Sequence, residues 1–212
     1  MFSDGDILKI LTLYPDSFGS NTHILLSDGH ALVVDPSVNA EKIIAAAAAE
    51  GAAIDGILLT HGHFDHIFSI DALRERLGIK LMMHKDDAEM ITDSHKNAFF
   101  TFFRRECTYA PADVLFDDGH EISLGCETIK AIHTPGHTKG SVCYLTGDAL
   151  ITGDTLFADG VGRTDLYGGS SAALVCSLDK LAELDKNLKI YTGHGDTELL
   201  EHALDNSAYF RR

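Results

Sequence analysis

The sequence predicts an α/β protein made of two sheets of mixed strands with helices on their outer faces. Three observations carry that expectation. Short apolar runs alternate with helical patterns through the first half; the pattern partly returns from Val114; and no Pro- or Ser-rich linker divides the 212 residues. Sheets of this kind have two faces to bury, which uses every element the pattern supplies. The return is not a repeat of fixed period.

Ile7 to Leu13, His23 to Leu26 and Ala31 to Val34 read as strands of an antiparallel meander, the last two joined through Asp28-Gly29, a hairpin signal. Asn39 is placed to cap a helix over Ala40 to Glu50, and Gly51 to end it in the left-handed conformation. Ile54 to Thr60 is a buried strand by its apolar run, Ile70 to Leu77 a helix closed by Gly78, and Ile79 to His84 another strand. Lys85 to Thr92 reads as a second short helix. Phe99, Phe100, Phe102 and Phe103 then form the densest aromatic stretch, for which core packing is the expectation and an apolar lid or a subunit contact the alternatives. Strands follow near Val114 to Phe116, Glu121 to Ser123, Glu127 to His133, Ser141 to Leu145 and Ala149 to Thr152. A helix from Ser171 to Leu184, a strand from Lys189 to Thr192 and a helix near Glu198 to Leu204 complete the chain.

Composition narrows what such a protein does. With 45% apolar residues the chain can bury a sizeable core, so a metal would serve function rather than hold the fold. Seventeen Lys and Arg against 32 Asp and Glu give a formal charge of -15, which opposes nucleic acid and anionic membrane surfaces. Cys107, Cys126, Cys143 and Cys176 form no CxxC pair, and the N-terminus has neither a signal-peptide pattern nor a membrane-length apolar run. The expectation is one cytoplasmic domain spanning residues 1–212.

Chemistry concentrates where strands end. His61, His63, Asp65 and His66 fall within THGHFDH, directly after an apolar strand, and alternate residues of an extended segment let His61 and His63 reach one ion together. His137 lies in the Pro-Gly loop of HTPGHTKGS, Asp154 follows Gly153 in TGDTLF, and His194 sits between Gly193 and Gly195. Together these seven residues are enough ligands for two metal ions. His84 and His133 end strands on the same edge and read as partners of the ligands or as plain hydrogen-bonded histidines, whereas His30, His95, His120 and His202 read as ordinary.

This series, HxHxDH followed by His, Asp and His, resembles the metallo-β-lactamase fold superfamily across nearly the whole chain. The resemblance implies a four-layer αββα sandwich. It implies one ion held by His61, His63 and His137, a second by Asp65, His66 and His194, and the Asp154 carboxylate bridging both. The ions would be zinc, or iron or manganese, which the same ligands serve. Water shared by two cations ionises near about pH 7 rather than about 15.7, so hydroxide is the expected nucleophile, with Asp65 and Asp154 the carboxylates on which catalysis depends.

Within the superfamily, THGHFDH, HTPGHTKGS, GDTLF and the terminal GHG resemble the glyoxalase II-like hydroxyacylglutathione hydrolases, without the C-terminal helical domain of their long members. The metallo-β-lactamases proper depart at His66 and Asp154. A thiol of pKa about 8.5 can leave without protonation whereas an amide nitrogen generally needs an acid, so a small-molecule thioester is the expected substrate. The resemblance places Arg163, in Gly-Arg-Thr-Asp, on the substrate's anionic end, with pairing to Asp159 or Asp165 as the alternative. The same segment resembles the mono-iron persulfide dioxygenases, the competing reaction class; a phosphodiesterase and an idle metal-binding protein are weaker readings.

Overall fold

A computed structural model describes residues 8–209. Twelve strands form two six-stranded sheets among these residues. The first contains β1 (Lys9–Leu13), β2 (Thr22–Ser27), β3 (His30–Val34), β4 (Ala53–Leu58), β5 (Lys80–His84) and β6 (Val114–Phe116), in that spatial order. The second runs from β7 (Glu121–Leu124) through β8 (Glu127–His133), β9 (Val142–Thr146), β10 (Ala149–Gly153) and β11 (Lys189–Thr192) to β12 (Glu198–Leu199). Both are mixed: β1 to β3 pair antiparallel and β3 to β6 parallel, while β10 and β11 form the parallel step of the second sheet.

Side-chain alternation makes the four layers. In β2 and β3, Leu25, Leu32 and Val34 point to a central core shared with Ile129, Val142, Tyr144 and Ile151 of the second sheet. Their neighbours Ile24, Leu26, Ala31 and Val33 point outward, under Ile43 of α1 (Ala40–Ala49) and Ile70 and Leu73 of α2 (Ile70–Leu77). On the far side, Cys143, Leu150 and Ile190 pack under Leu174, Leu178 and Leu181 of α4 (Ser171–Ala182) and Leu200 and Ala203 of α5 (Leu200–Asn206). Each fully buried aliphatic side chain contributes about 1.5–3 kcal/mol. The αββα sandwich is therefore the fold.

Local sequence sets the element ends. Asn39 Oδ1 accepts the Glu41 N–H at 2.8 Å, and Gly51 and Gly78 close their helices at φ +70° and +68°. Ile7 lies outside the described residues, Leu8 is outside the strand, and β1 begins at Lys9. The expected helix over Lys85 to Thr92 is instead a single 3-10 turn, Lys85–Asp87, because the Asp87 side chain turns inward and is fully buried. The final helix begins at Leu200 rather than Glu198, since Glu198 and Leu199 pair with β11.

The phenylalanine stretch is not core. It forms the short helix α3 (Phe99–Phe103), with no buried residue, between Ala98 and Arg104 in the left-handed region. Its rings pack on one another and on Phe64, and Phe102 remains 52% exposed. No disulfide joins the cysteines, and no described helix is long and apolar enough to cross a membrane.

Candidate metal centre

β4, β8, β10 and β11 all end on one rim of the sandwich, and the loops leaving them carry the seven residues singled out in the sequence. Those loops are tied across the sheets: the Val142 N–H donates to the Thr60 carbonyl at 2.9 Å, and the Tyr144 hydroxyl to the Leu59 carbonyl at 2.7 Å. The ligand-bearing rim thus belongs to both sheets at once.

Two triads result. His61, His63 and His137 face one another, with His63 Nδ1 2.9 Å and His61 Nε2 3.2 Å from His137 Nε2. Asp65, His66 and His194 form the second, with His194 Nε2 3.2 Å from Asp65 Oδ2. The Asp154 carboxylate lies between them. Its Oδ1 is 3.3 Å from His66 Nε2, and its Oδ2 is 3.6 Å from Nε2 of both His137 and His194. Glycine lets it sit there: a Cβ on Gly193 would stand 2.2 Å from Asp154 Oδ1 and 2.8 Å from His66 Cε1.

The outer nitrogens fix which inner atoms carry lone pairs. His137 Nδ1–H donates to the Arg163 carbonyl at 2.7 Å, so its Nε2 is bare. His61 Nδ1–H donates to the Thr60 hydroxyl at 3.1 Å, which itself donates to Asp35 Oδ2 at 2.6 Å. His66 Nδ1–H donates to the same Asp35 oxygen at 2.8 Å. Bare nitrogens therefore converge within van der Waals contact, and His63 Nε2, His66 Nε2 and Asp154 Oδ1 are buried without a well-aligned hydrogen-bond partner. Such a set suits cations rather than protons, and its chemistry, imidazole with carboxylate, fits two divalent ions.

The electrostatics agree. Burial, with His66, His137 and His63 as neighbours, holds the His61 imidazole well below its usual pKa; burial and His137 bring His63 down to about 3. Burial would lower His66 too, but Asp154, Asp35 and Asp65 surround it and raise it well above the ordinary value. Burial would raise the Asp154 carboxyl, yet His66, His137 and His194 hold it below the usual carboxylate range. Positive charge is stabilised at His66, and protonation of His61 and His63 is not.

A cleft of about 380 Å³ opens over the triads. Phe18, Phe64, Phe102, Phe103 and Leu166 form an apolar wall beside His63, Asp65, His137, Asp154 and His194. Arg163 lies at the same opening, but its guanidinium grips Asp165 in a fork, at 2.6 and 2.7 Å, and is about half exposed. Its clearest service to the centre is the carbonyl that aims His137.

Sequence reasoning missed four supporting residues. Asp35 aims His61 and His66. The Asp87 carboxylate, pushed up in pKa by burial, accepts from the Gly62 and Gly140 N–H groups and from the Thr138 hydroxyl, tying together the loops that bear His61 and His137. Asn21 donates to the carbonyls of Thr192 and Gly195, and His23 to that of Thr192, bracing the His194 loop. A buried-type apolar strand running straight into Asp35 was the available signal for the first; the others had none. His84 and His133, in contrast, make no hydrogen bond to the triads: they bond to Asp86 and Lys139. His30 and His202 pair with Asp55 and Glu198 at the surface.

Comparison with known proteins places this arrangement. Residues 15–194 match the family model of the metallo-beta-lactamase superfamily. A probable metallo-hydrolase of Bacillus subtilis strain 168, YqgX, is 37% identical over 185 residues, covering 85% of this chain and 88% of its own. The structure is similar to that of BLEG-1, described as a B3 metallo-beta-lactamase, with a TM-score of 0.90, 31% identity and coverage of 96% of this chain and 100% of that one. It is also similar to TTHA1623, solved in a di-iron-bound form, with a TM-score of 0.80, 28% identity and coverage of 94% and 98%. Since the family match takes in β2 to β11 and all seven clustered residues, the chain belongs to the metallo-beta-lactamase superfamily.

Proposed function

We propose that this metallo-hydrolase cleaves a small-molecule thioester, such as an S-(2-hydroxyacyl)glutathione, at a centre of two divalent ions. The observation that carries the reading is the Asp154 carboxylate, which lies beside His137 of one triad through Oδ2 and beside His66 and His194 of the other through Oδ1 and Oδ2. When bound, two such ions lower the pKa of a shared water to about 7 and polarise a carbonyl. His61, His63 and His137 would hold one, Asp65, His66 and His194 the other, with Asp154 common to both.

The chain's own residues supply the rest. Asp35 and the Arg163 carbonyl hold the imidazoles of His66 and His137 in one tautomer and one direction, while Asp87 ties together the loops that carry His61 and His137. The phenylalanine wall excludes water from one side of the cleft and offers an apolar surface to the substrate. Among the residues lining the cleft, none outside the triads and Asp154 is an acid able to protonate an amine. A thiolate leaves without such help, which favours a thioester over an amide. For Arg163 to clamp an anionic substrate end, that end must displace Asp165 from the guanidinium.

The likeness to BLEG-1 favours a β-lactam as the second substrate class. One panel tests both. Protein carrying measured zinc or iron is assayed for thiol release from glutathione, coenzyme A and simpler thioesters, for β-lactam opening, and for oxygen uptake with glutathione persulfide. Thiol release that disappears in Asp154→Ala, with circular dichroism unchanged, is the expected result. Full activity in that variant overturns the two-ion reading, and oxygen uptake or lactam opening without thiol release replaces the thioester reading.

A further inference from the structure

A second cluster of metal-binding groups lies outside the cleft. His84 ends β5 in the first sheet, Asp86 follows it in the 3-10 turn, and His133 ends β8 in the second sheet. Their ligand atoms all lie within 4.8 Å of one another. The two imidazoles stack face to face, with centroids 4.0 Å apart and planes 13° from parallel.

Hydrogen bonding shows which atoms are available. His133 donates from Nε2 to the Lys139 carbonyl at 2.8 Å, so its Nδ1 carries a lone pair. His84 Nδ1 accepts the Asp86 N–H at 3.3 Å, a long bond, and so it too carries a lone pair, 3.9 Å from Asp86 Oδ2. The stacked rings set these lone pairs side by side, next to the Asp86 carboxylate, so one cation can be shared once a ring turns toward it. A proton on His84 is disfavoured by burial and by His133 beside it, although Asp86 and Asp117 act the other way. Of the nearby lysines, Lys85 pairs with Asp117, and Lys180 pairs with Asp118 while donating to the His133 carbonyl at 3.0 Å.

We propose that His84, Asp86 and His133 form a third cation site, for a divalent transition metal such as zinc, linking the ends of β5 and β8. Two imidazoles and a carboxylate are a common zinc donor set, with bonds of about 2.0–2.2 Å, and the exposed Asp86 side chain is free to close the remaining distance. The site touches both ligand loops without belonging to either. Asp86 precedes Asp87, the carboxylate that joins those loops, and His133 holds the Lys139 carbonyl two residues beyond His137. A bound ion would brace the loops from outside the reacting centre.

The test is a metal titration. Chelator-stripped full-length protein is titrated with Zn²⁺ by calorimetry and with Co²⁺ by visible absorption, beside Asp86→Asn and His133→Gln. Wild type is expected to take two tight equivalents and a weaker third. In both variants the third should weaken by at least the roughly 10- to 100-fold that losing an outer-shell partner costs, with the first two unchanged. A wild type that saturates at two equivalents overturns the proposal, as does a third equivalent of undiminished affinity in both variants. Asp86→Asn is an isosteric change at an exposed residue, so it keeps the test readable if His133→Gln disturbs β8.

Discussion

Asp35 Oδ2 accepts the Nδ1–H of His66 at 2.8 Å, and the same oxygen accepts the Thr60 hydroxyl that in turn holds His61. One carboxylate, 1% exposed, therefore aims an imidazole of each triad. Its backbone sits at φ +51°, a conformation that Asp and Asn tolerate better than other side chains.

Asp35→Asn keeps the volume and the backbone preference but halves the accepting capacity. Metal affinity should fall about 10- to 100-fold, with circular dichroism unchanged. Competition with a chromogenic chelator measures it; wild-type affinity would remove Asp35 from the centre.

Gly193→Ala puts a methyl group into the space of Asp154 Oδ1 and His66 Cε1. The expected outcome is loss of at least one bound equivalent by elemental analysis, with a folded chain. Retention of both equivalents would show that the loop yields without cost.

Asp87→Ala leaves the Gly62 and Gly140 N–H groups and the Thr138 hydroxyl buried without their acceptor. Each orphaned group costs about 1–3 kcal/mol. A loss of unfolding free energy of at least that order, read from urea unfolding, is expected, together with weaker metal retention.

His23 makes stability depend on pH. Burial brings its pKa to about 4, while in the unfolded chain it titrates near 6.5. Above pH 6.5 both states are neutral and its contribution is complete. As pH falls from 6.5 to about 4 the unfolded state takes the proton first, and about 3 kcal/mol is lost at about 1.4 kcal/mol per unit. Metal-free wild type should lose more stability over that window than metal-free His23→Gln, measured by urea unfolding at pH 7 and 4.5. His61 and His63 add slope of the same sign and His66 subtracts, equally in both proteins. Equal slopes would mean that His23 is protonated in the fold.

Phe102→Ala and Phe103→Ala act on surface that is 52% and 38% exposed in the uncomplexed chain. Melting temperature should change little, while KM for thioesters with apolar acyl groups rises several-fold and KM for the shortest acyl groups does not. A uniform rise across the series would mean that the wall positions α3 and does not contact the acyl group.

Much of this molecule was legible in its sequence because the informative signals are local. Apolar runs within residues 22–27 and 30–34 mark strands with two buried faces, Gly51 and Gly78 mark helix ends, and THGHFDH packs four donors behind an apolar strand. Where the reading failed, a distant partner had overruled local preference. Lys85 to Thr92 has helical composition, but Asp87 must turn inward to three donors on two other loops. The phenylalanines from 99 to 103 look like core, yet they lie on a five-residue helix facing Phe64 and the cleft.

The sequence by itself determined the two mixed sheets, their covering helices and the identity of the seven clustered donors, because each rests on residue type and short-range spacing. The tertiary structure alone decided that Asp35 aims an imidazole of each triad, that Asp87 ties their loops together, that Arg163 is already held by Asp165, and that His84 meets His133 across the sheets. Those relationships join residues far apart in the chain, and they exist only once strand register and sheet packing bring the loop ends to one rim.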